Sequence, residues 1–393
     1  MVGIINKITK EYLRNSIIVL FTILFSANAA FATEEIDSFI VQTKESYLRA
    51  RVDRILVNRG YRNYKKVNNN VLIVPRNNEK SVDEQIAEIR NTGLFETVEP
   101  NYKLILDKKN INDKAGNVVL NDRKANNHQY YLEQTNVPNV WNRANGNGVK
   151  VAILDSGVNA NHPDLVGKVE GRAGHEYEDL NDAIGHGTEV AGIVTANGNN
   201  KKGIVGVAWN TRILSIKVTD ENAEASVATL VEGLDKAYEN GARIAVLSLS
   251  TNKVSTILKN SIAQAQDRGL LIIAAGGNSG INELRYPAAF DGVIGVGAVN
   301  RNNEIESYST TGDIDIVAPG TDIYTTSINS KQYEYVTGTS FAAPQVAGVA
   351  ALVLSIAPEL TNNEVTEMLL NGANKNKSIN LLNAQATVDL ISD

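Results

Sequence analysis

The sequence predicts a doubly wound α/β domain with a mostly parallel sheet, preceded by a smaller α+β domain. Three observations predict it. From about residue 126 onward, short β-branched apolar runs at 149–155, 213–218, 243–249, 270–275 and 293–299 alternate with helical stretches at 187–196, 225–240 and 256–267. These runs are continuously apolar, so both faces of each strand are covered, as in a parallel sheet between helical layers. Residues 38–107 follow a different rhythm, and the Asn-, Asp-, Lys- and Gly-rich stretch 108–125 separates the two patterns as a linker. At 393 residues the chain also exceeds the usual size of one domain.

Taken in order, residues 1–32 read as a secretory signal. Lys7, Lys10 and Arg14 precede the apolar segment 16–26, and Ala30-Phe31-Ala32 has the small-x-small form of a cleavage site, here after Ala32. The apolar run is well short of the ~20 residues that span a bilayer, so no stable membrane anchor is expected. In the small domain, strands are expected at 38–44, 71–75 and 98–106, with a weaker one around 61–67. Helices are expected at 47–60 and after Ser81, where Ser81-Val82-Asp83-Glu84 forms a capping box. Strand–helix–strand–strand–helix–strand is the ferredoxin-like arrangement. In the large domain, 338–358 (GTSFAAPQVAGVAALVLSIAP) is expected to be a helix buried on all sides, with Ser340 at its start.

Composition narrows the chemistry. The chain has no cysteine, which excludes disulfides, Cys-based zinc sites and thiol catalysis. A net charge of −6 argues against nucleic acid as a partner. Only four histidines occur, so imidazole chemistry has few candidates. Of these, His186 lies in Gly-His-Gly-Thr just before a helix, and its flanking glycines permit a close approach to the ring. Asp155 ends the first parallel strand, Asn278 follows a buried strand, and Ser340 opens a buried helix. Each has an ordinary alternative: Asp155 as a brace for its loop, Ser340 as a cap or packing residue. Together they supply the four functions of acyl transfer, namely a nucleophile, a base, a carboxylate that orients the base, and an oxyanion donor. Their order, Asp–His–Ser, differs from that of chymotrypsin and of the α/β-hydrolases, and the GxSxG elbow of esterases is missing.

The motifs DSGV (155–158) with HPDL (162–165), GHGTEVAGIV (185–194), AAGGNSG (274–280), YPAAFDGVIGVGAV (286–299), VAPGTDIYTT (317–326) and GTSFAAPQVAGVAALV (338–353) resemble the subtilisin family of serine endopeptidases. The resemblance covers the chain from near Asn126 to its end, residues 126–393. It implies Ser340 as nucleophile, His186 as general base and acid, Asp155 as the orienting carboxylate and Asn278 in the oxyanion hole. It also implies that residues 38–107, ending in VEPNY at 98–102, are a propeptide that inhibits the enzyme and assists its folding until a cut within 108–124. The enzyme is then a secreted monomer acting on polypeptides, with its own propeptide as an intramolecular partner. By similarity, Ser248, Leu249, Ser250, Ala275, Gly276 and Gly277 line the specificity pocket.

Departures from the family pattern are Glu189 and Gln345 in place of histidines, Phe341 in place of a methionine, and Ser250 in place of a glycine. Arg285 falls near the pocket floor. It is expected either to favour an acidic residue on the amino side of the cut bond, or to pair with Glu283 or face solvent. No cofactor is required for catalysis. A structural calcium is left open at Asp164 and the loop 197–200, although Lys201 and Lys202 flank it. His162 and His175 are expected to be structural or exposed. The competing functions are a broad nutritional protease, a narrow peptide-maturation protease, a silent peptide-binding relative and an esterase.

Overall fold

The computed structural model describes residues 36–43, 49–61, 63–106, 122, 128–174, 179–283, 285–376 and 379–391. The expected signal peptide, His175 and all of the linker but Asp122 lie outside the described residues. The small domain comprises β1 (Ser38–Thr43), α1 (Arg49–Asn58), β2 (Lys65–Lys66), β3 (Val71–Pro75), α2 (Val82–Arg90) and β4 (Phe95–Pro100). Its sheet has the order β2-β3-β1-β4 with every pair antiparallel, as the ferredoxin-like arrangement requires. Phe39, Val41, Leu56, Val74, Ile89 and Val98 fill its core. Ser81 and Glu84 form the expected capping box at the start of α2.

The strand expected at 98–106 is in fact two strands. β4 stops at Pro100, which has no N–H to extend a ladder, and Asn101 bonds back to the Ser38 carbonyl. The chain then leaves the small sheet as β5 (Lys103–Leu106). A turn dipeptide inside an apolar run thus redirects the second half of the run to a different sheet.

The large domain opens with α3 (Tyr130–Gln134) and continues through β6 (Lys150–Asp155), β7 (Val169–Gly174), α4 (His186–Thr195) and β8 (Arg212–Lys217). There follow β9 (Glu224–Ser226), α5 (Val227–Glu239), β10 (Ile244–Leu247), β11 (Leu249–Ser250), α6 (Thr256–Asp267), β12 (Leu271–Ala275) and β13 (Ile294–Val299). The last part holds β14 (Ile316–Pro319), β15 (Ile323–Thr326), β16 (Tyr333–Val336), α7 (Ala343–Ile356), α8 (Asn362–Gly372), β17 (Asn374–Asn376), β18 (Ile379–Leu381) and α9 (Ala384–Asp389).

The main sheet has the order β17-β18-β14-β13-β12-β10-β6-β8-β7, parallel except at the β17–β18 edge. Strand order reverses beside β6, which places the carboxyl end of that strand at the switch point where α/β sheets open a crevice. Val151, Ile153, Val246, Ile273 and Val296 face the α4 and α7 layer, while Ala152, Leu154, Ala245, Leu247 and Ile272 face α5 and α6.

Two further boundaries differ from expectation. The apolar run 243–249 breaks at Ser248: β10 stays in the parallel sheet, and β11 turns away to pair with β5. The predicted helix at 338–358 is a 3-10 turn, Thr339–Phe341, followed by α7, which carries Pro344 in its first turn. Ser340 therefore sits on the tight turn before the helix, not within it. The body of α7 is buried on all sides, as its composition requires.

The small domain, β5 and the large domain belong to one packed unit, Ser38–Asp393. The antiparallel ladder β11-β5-β9 joins them. Glu99 accepts from the backbone N–H groups of Thr256 (3.1 Å) and Ile257 (3.2 Å) at the start of α6, and from the Ser255 hydroxyl. Asn101 accepts from Ala228 N–H (3.1 Å), and the Tyr102 carbonyl from Val227 N–H (3.0 Å), at the start of α5. Two helix N-termini, positive and short of acceptors, thereby receive oxygens from the preceding domain.

Candidate active site

Asp155 ends β6 and His186 begins α4, and both are 0% exposed. His186 Nδ1 lies 2.8 and 2.9 Å from the two Asp155 carboxylate oxygens. The glycine after the histidine makes this approach possible, since a Cβ on Gly187 would lie 2.0 Å from the Gly157 carbonyl and 3.2 Å from the Asp155 Cβ.

A second buried carboxylate holds the frame. Asp182 accepts from the backbone N–H of Gly185 (2.7 Å) and Thr188 (2.9 Å), and from the hydroxyls of Ser156 (2.8 Å) and Thr188 (2.6 Å). Ser156 in turn accepts from Gly187 N–H at 3.0 Å. Asp182 thus ties the residue after Asp155 to the helix start that carries His186, where it receives backbone donors for which the helix itself offers no acceptor. Sequence reading missed it. The available signal was an Asp a few residues ahead of a helix, a common capping pattern that says nothing about catalysis.

Ser340 is 0% exposed and exchanges two hydrogen bonds with Ser248. Its hydroxyl donates to the Ser248 carbonyl (3.1 Å), and the Ser248 hydroxyl donates to the Ser340 carbonyl (3.0 Å). The neighbouring Phe341 ring packs 5.3 Å from the His186 ring. Asn278 is brought to the same turn: its Oδ1 accepts from the Thr339 N–H and the Thr339 hydroxyl, each at 3.0 Å. That contact identifies the oxygen end of the amide and directs the Nδ2 donors away from Thr339. A carboxylate-bound imidazole, a hydroxyl on a tight turn and an oriented amide are the parts that acyl transfer uses.

The expected pocket residues also come together. Gly277, at φ +98°, follows Ala275 and Gly276 at the end of β12, and its N–H donates to the Thr339 hydroxyl (3.1 Å). A Cβ on Gly277 would lie 3.2 Å from the Arg285 side chain and 3.2 Å from Ser250 Oγ, so wall and floor meet there. Arg285 Nη1 donates to Glu283 at 3.1 Å. Of the two expectations for Arg285, the pairing with Glu283 is seen, and the side chain also lies beside Gly277, as Ser250 does.

The departures are accommodated. Gln345 Nε2 donates to the Pro319 and Phe341 carbonyls at 2.6 and 2.8 Å, and Glu189 is buried on α4. His162 is structural, as expected. Its Nε2–H donates to the Gln332 carbonyl (2.7 Å), its Nδ1 accepts from Asp164 N–H (3.1 Å), and burial lowers its pKa.

Asp164 already has a full set of partners: Asn200 Nδ2 at 2.7 Å, Ile204 N–H at 2.9 Å and the Tyr333 hydroxyl at 3.0 Å. Burial, and then the Asp164 charge, raise the Tyr333 pKa, which keeps that hydroxyl a donor. No three His, Asp or Glu side chains gather into a metal-binding group among the described residues. A calcium ion at this loop would have to displace the donors named, so the residues fit a hydrogen-bonded carboxylate better than a cation cage. Tyr333→Phe is expected to cost about 1–3 kcal/mol, because it leaves one carboxylate oxygen short of a donor. Denaturant titration of the two proteins measures it.

The model of the subtilase family matches residues 146–387. The chain belongs to the subtilase family. Among curated relatives of this subtilase, an alkaline protease from Alkalihalobacillus alcalophilus is 34% identical over 92% of this chain and 93% of that protease. Thermitase from Thermoactinomyces vulgaris is 38% identical over 62% of this chain and 88% of thermitase. Among solved structures, fervidolysin from Fervidobacterium pennivorans, a keratinolytic enzyme related to subtilisin, superposes with a TM-score of 0.76 at 25% identity. That match covers 92% of this chain, which spans only 62% of fervidolysin. This subtilase is a serine endopeptidase, and the resemblance drawn from its motifs is borne out at the level of family, fold and activity.

Proposed function

We propose that this subtilase is secreted as a zymogen and cleaves polypeptides through an acyl-enzyme on Ser340. In this reading His186 takes the Ser340 proton and returns it to the leaving amine, Asp155 holds the His186 tautomer, and Asn278 with the Ser340 N–H stabilises the oxyanion. Residues 38–107 are the propeptide, residues 126–393 the peptidase, and the signal segment directs the chain out of the cell as a monomer.

One observation carries the zymogen reading. β5 of the N-terminal part pairs through its backbone with β9 and β11 and so occupies the groove that leads to Ser248, the hydrogen-bonding partner of Ser340. An extended peptide added between two strands is a common mode of peptide recognition, so β5 lies as a substrate would. Leu104 and Leu106 are buried against the groove, while Ile105 is 60% exposed.

The test is labelling with a fluorophosphonate probe, before and after loss of the N-terminal domain. The processed wild type should label at one site, the unprocessed chain far more slowly, and Ser340→Ala should remain unlabelled and full-length. Equal labelling of processed and unprocessed chains would remove the inhibitory role of the propeptide. No labelling of the processed wild type would remove the catalytic assignments and leave a silent peptide binder.

A further inference from the structure

We propose that the pocket floored by Arg285 selects an acidic residue on the amino side of the cut bond. This rests on the zymogen reading above and deepens it.

The register supplies the position. In the antiparallel β5–β11 pair, Leu106 faces Leu249 and Ile105 faces Ser250. A substrate peptide lying in that register presents the residue that follows the one opposite Leu249 to Ser248, whose carbonyl lies 3.1 Å from Ser340 Oγ. That residue's carbonyl is the one brought to the serine.

The faces of the strand supply the pocket. Directly paired residues in antiparallel strands share a face, so Ser250 lies on the face of Ile105. Alternate residues of a strand also share a face, so a bound peptide residue two places after the one opposite Ser250 points to the Ser250 side. Arg285 is on that side, because a Cβ on Gly277 would lie 3.2 Å from both Ser250 Oγ and Arg285 Nε.

The unmet donors supply the chemistry. Ser250 is 2% exposed, and both Ser250 Oγ and Arg285 Nε are buried without a hydrogen-bond partner. Glu283 takes Nη1 and leaves the Nε edge of the guanidinium toward the pocket. A guanidinium edge and a hydroxyl converging on one point form a binding site for a carboxylate. An apolar side chain would seal both donors away from water unpaired, and a basic one would add repulsion from Arg285. Sites built around polar partners reject ligands that lack them much more strongly than apolar pockets reject a misfit.

The test uses the processed enzyme and internally quenched peptides containing Leu-Ile-Leu-X-Lys, with X as Asp, Glu, Asn, Leu or Lys. Cleavage after Asp or Glu should exceed cleavage after Leu or Lys by at least about 100-fold in kcat/KM, with Asn far below Asp. Arg285→Gln should collapse the Asp-to-Asn ratio to within a few fold, and Arg285→Lys should retain part of it. A wild type that prefers Leu or Lys, or an Arg285→Gln enzyme with the acidic preference intact, overturns the proposal. Should Arg285→Gln fail to fold, the wild-type profile still decides it. Probe labelling of Ser340 separates the two levels: a labelled enzyme without acidic preference sinks only this inference, and an unlabelled one sinks the reading beneath it.

Discussion

Replacing Asp155 by asparagine is expected to lower kcat by about ten-thousand-fold with little change in KM, on the scale seen when a triad aspartate is exchanged in other serine proteases. Geometry gives the reason. Asp155 Oδ1 accepts from the Ser156 N–H at 2.7 Å while both carboxylate oxygens face His186 Nδ1. In an asparagine, the Ser156 N–H holds the oxygen end and leaves the amide NH2 against Nδ1. Nδ1 must then accept, the ring proton moves to Nε2, and the imidazole can no longer take a proton from Ser340. The substitution is isosteric, so the fold should be kept. Active-site titration paired with steady-state kinetics checks it: a fall in the titratable fraction would signal misfolding, and unchanged kcat would reject the orienting role of Asp155.

Asn278→Ala is expected to be the next largest effect, a loss of about 10²–10³ in kcat, again with little change in KM. That magnitude belongs to subtilisin itself, a member of the same family. What this chain adds is the anchor: two Thr339 donors hold Oδ1, so the donor end of the amide has one orientation on the turn that carries Ser340. Thr339→Val should therefore lower kcat in the same direction but less, because the amide stays and loses only the hydroxyl, one of its two anchors. Matched kinetics on one peptide substrate distinguish the two. An Asn278→Ala enzyme with wild-type kcat would reject the oxyanion assignment.

How much of this was legible in the residues varies with the kind of interaction. Asp155, His186, Asn278 and Ser340 could be singled out as candidates because each stands at an apolar strand end or helix start, with glycines that relieve crowding close by. The capping boxes at Ser81 and Thr361 use local chemistry within four residues, and such signals survive in any context. Asp182 was not legible, because its importance lies in joining Ser156 to Gly185 and Thr188, and no spacing rule encodes that junction. The role of Tyr333 at Asp164 is likewise a long-range contact. Arg285 was visible as a choice between a carboxylate-selecting pocket residue and an ion pair with Glu283; the structure shows the ion pair and, beside it, a buried Nε that the pairing does not use.

The run 98–106 marks the boundary most clearly. Its alternation predicted a strand, and strands are what form. The same alternation fits β4 in the small sheet and β5 between β9 and β11 equally well. Hydrophobic periodicity, turn residues and motif chemistry, all properties of neighbouring residues, were enough to determine the fold class of this protein and most of its elements, and to nominate four candidate groups for the reaction. Only the tertiary structure decided which edge β5 joins. Strand pairing runs through N–H and C=O groups that nearly every residue carries alike, so the choice of partner is made by three-dimensional position, not by side-chain identity.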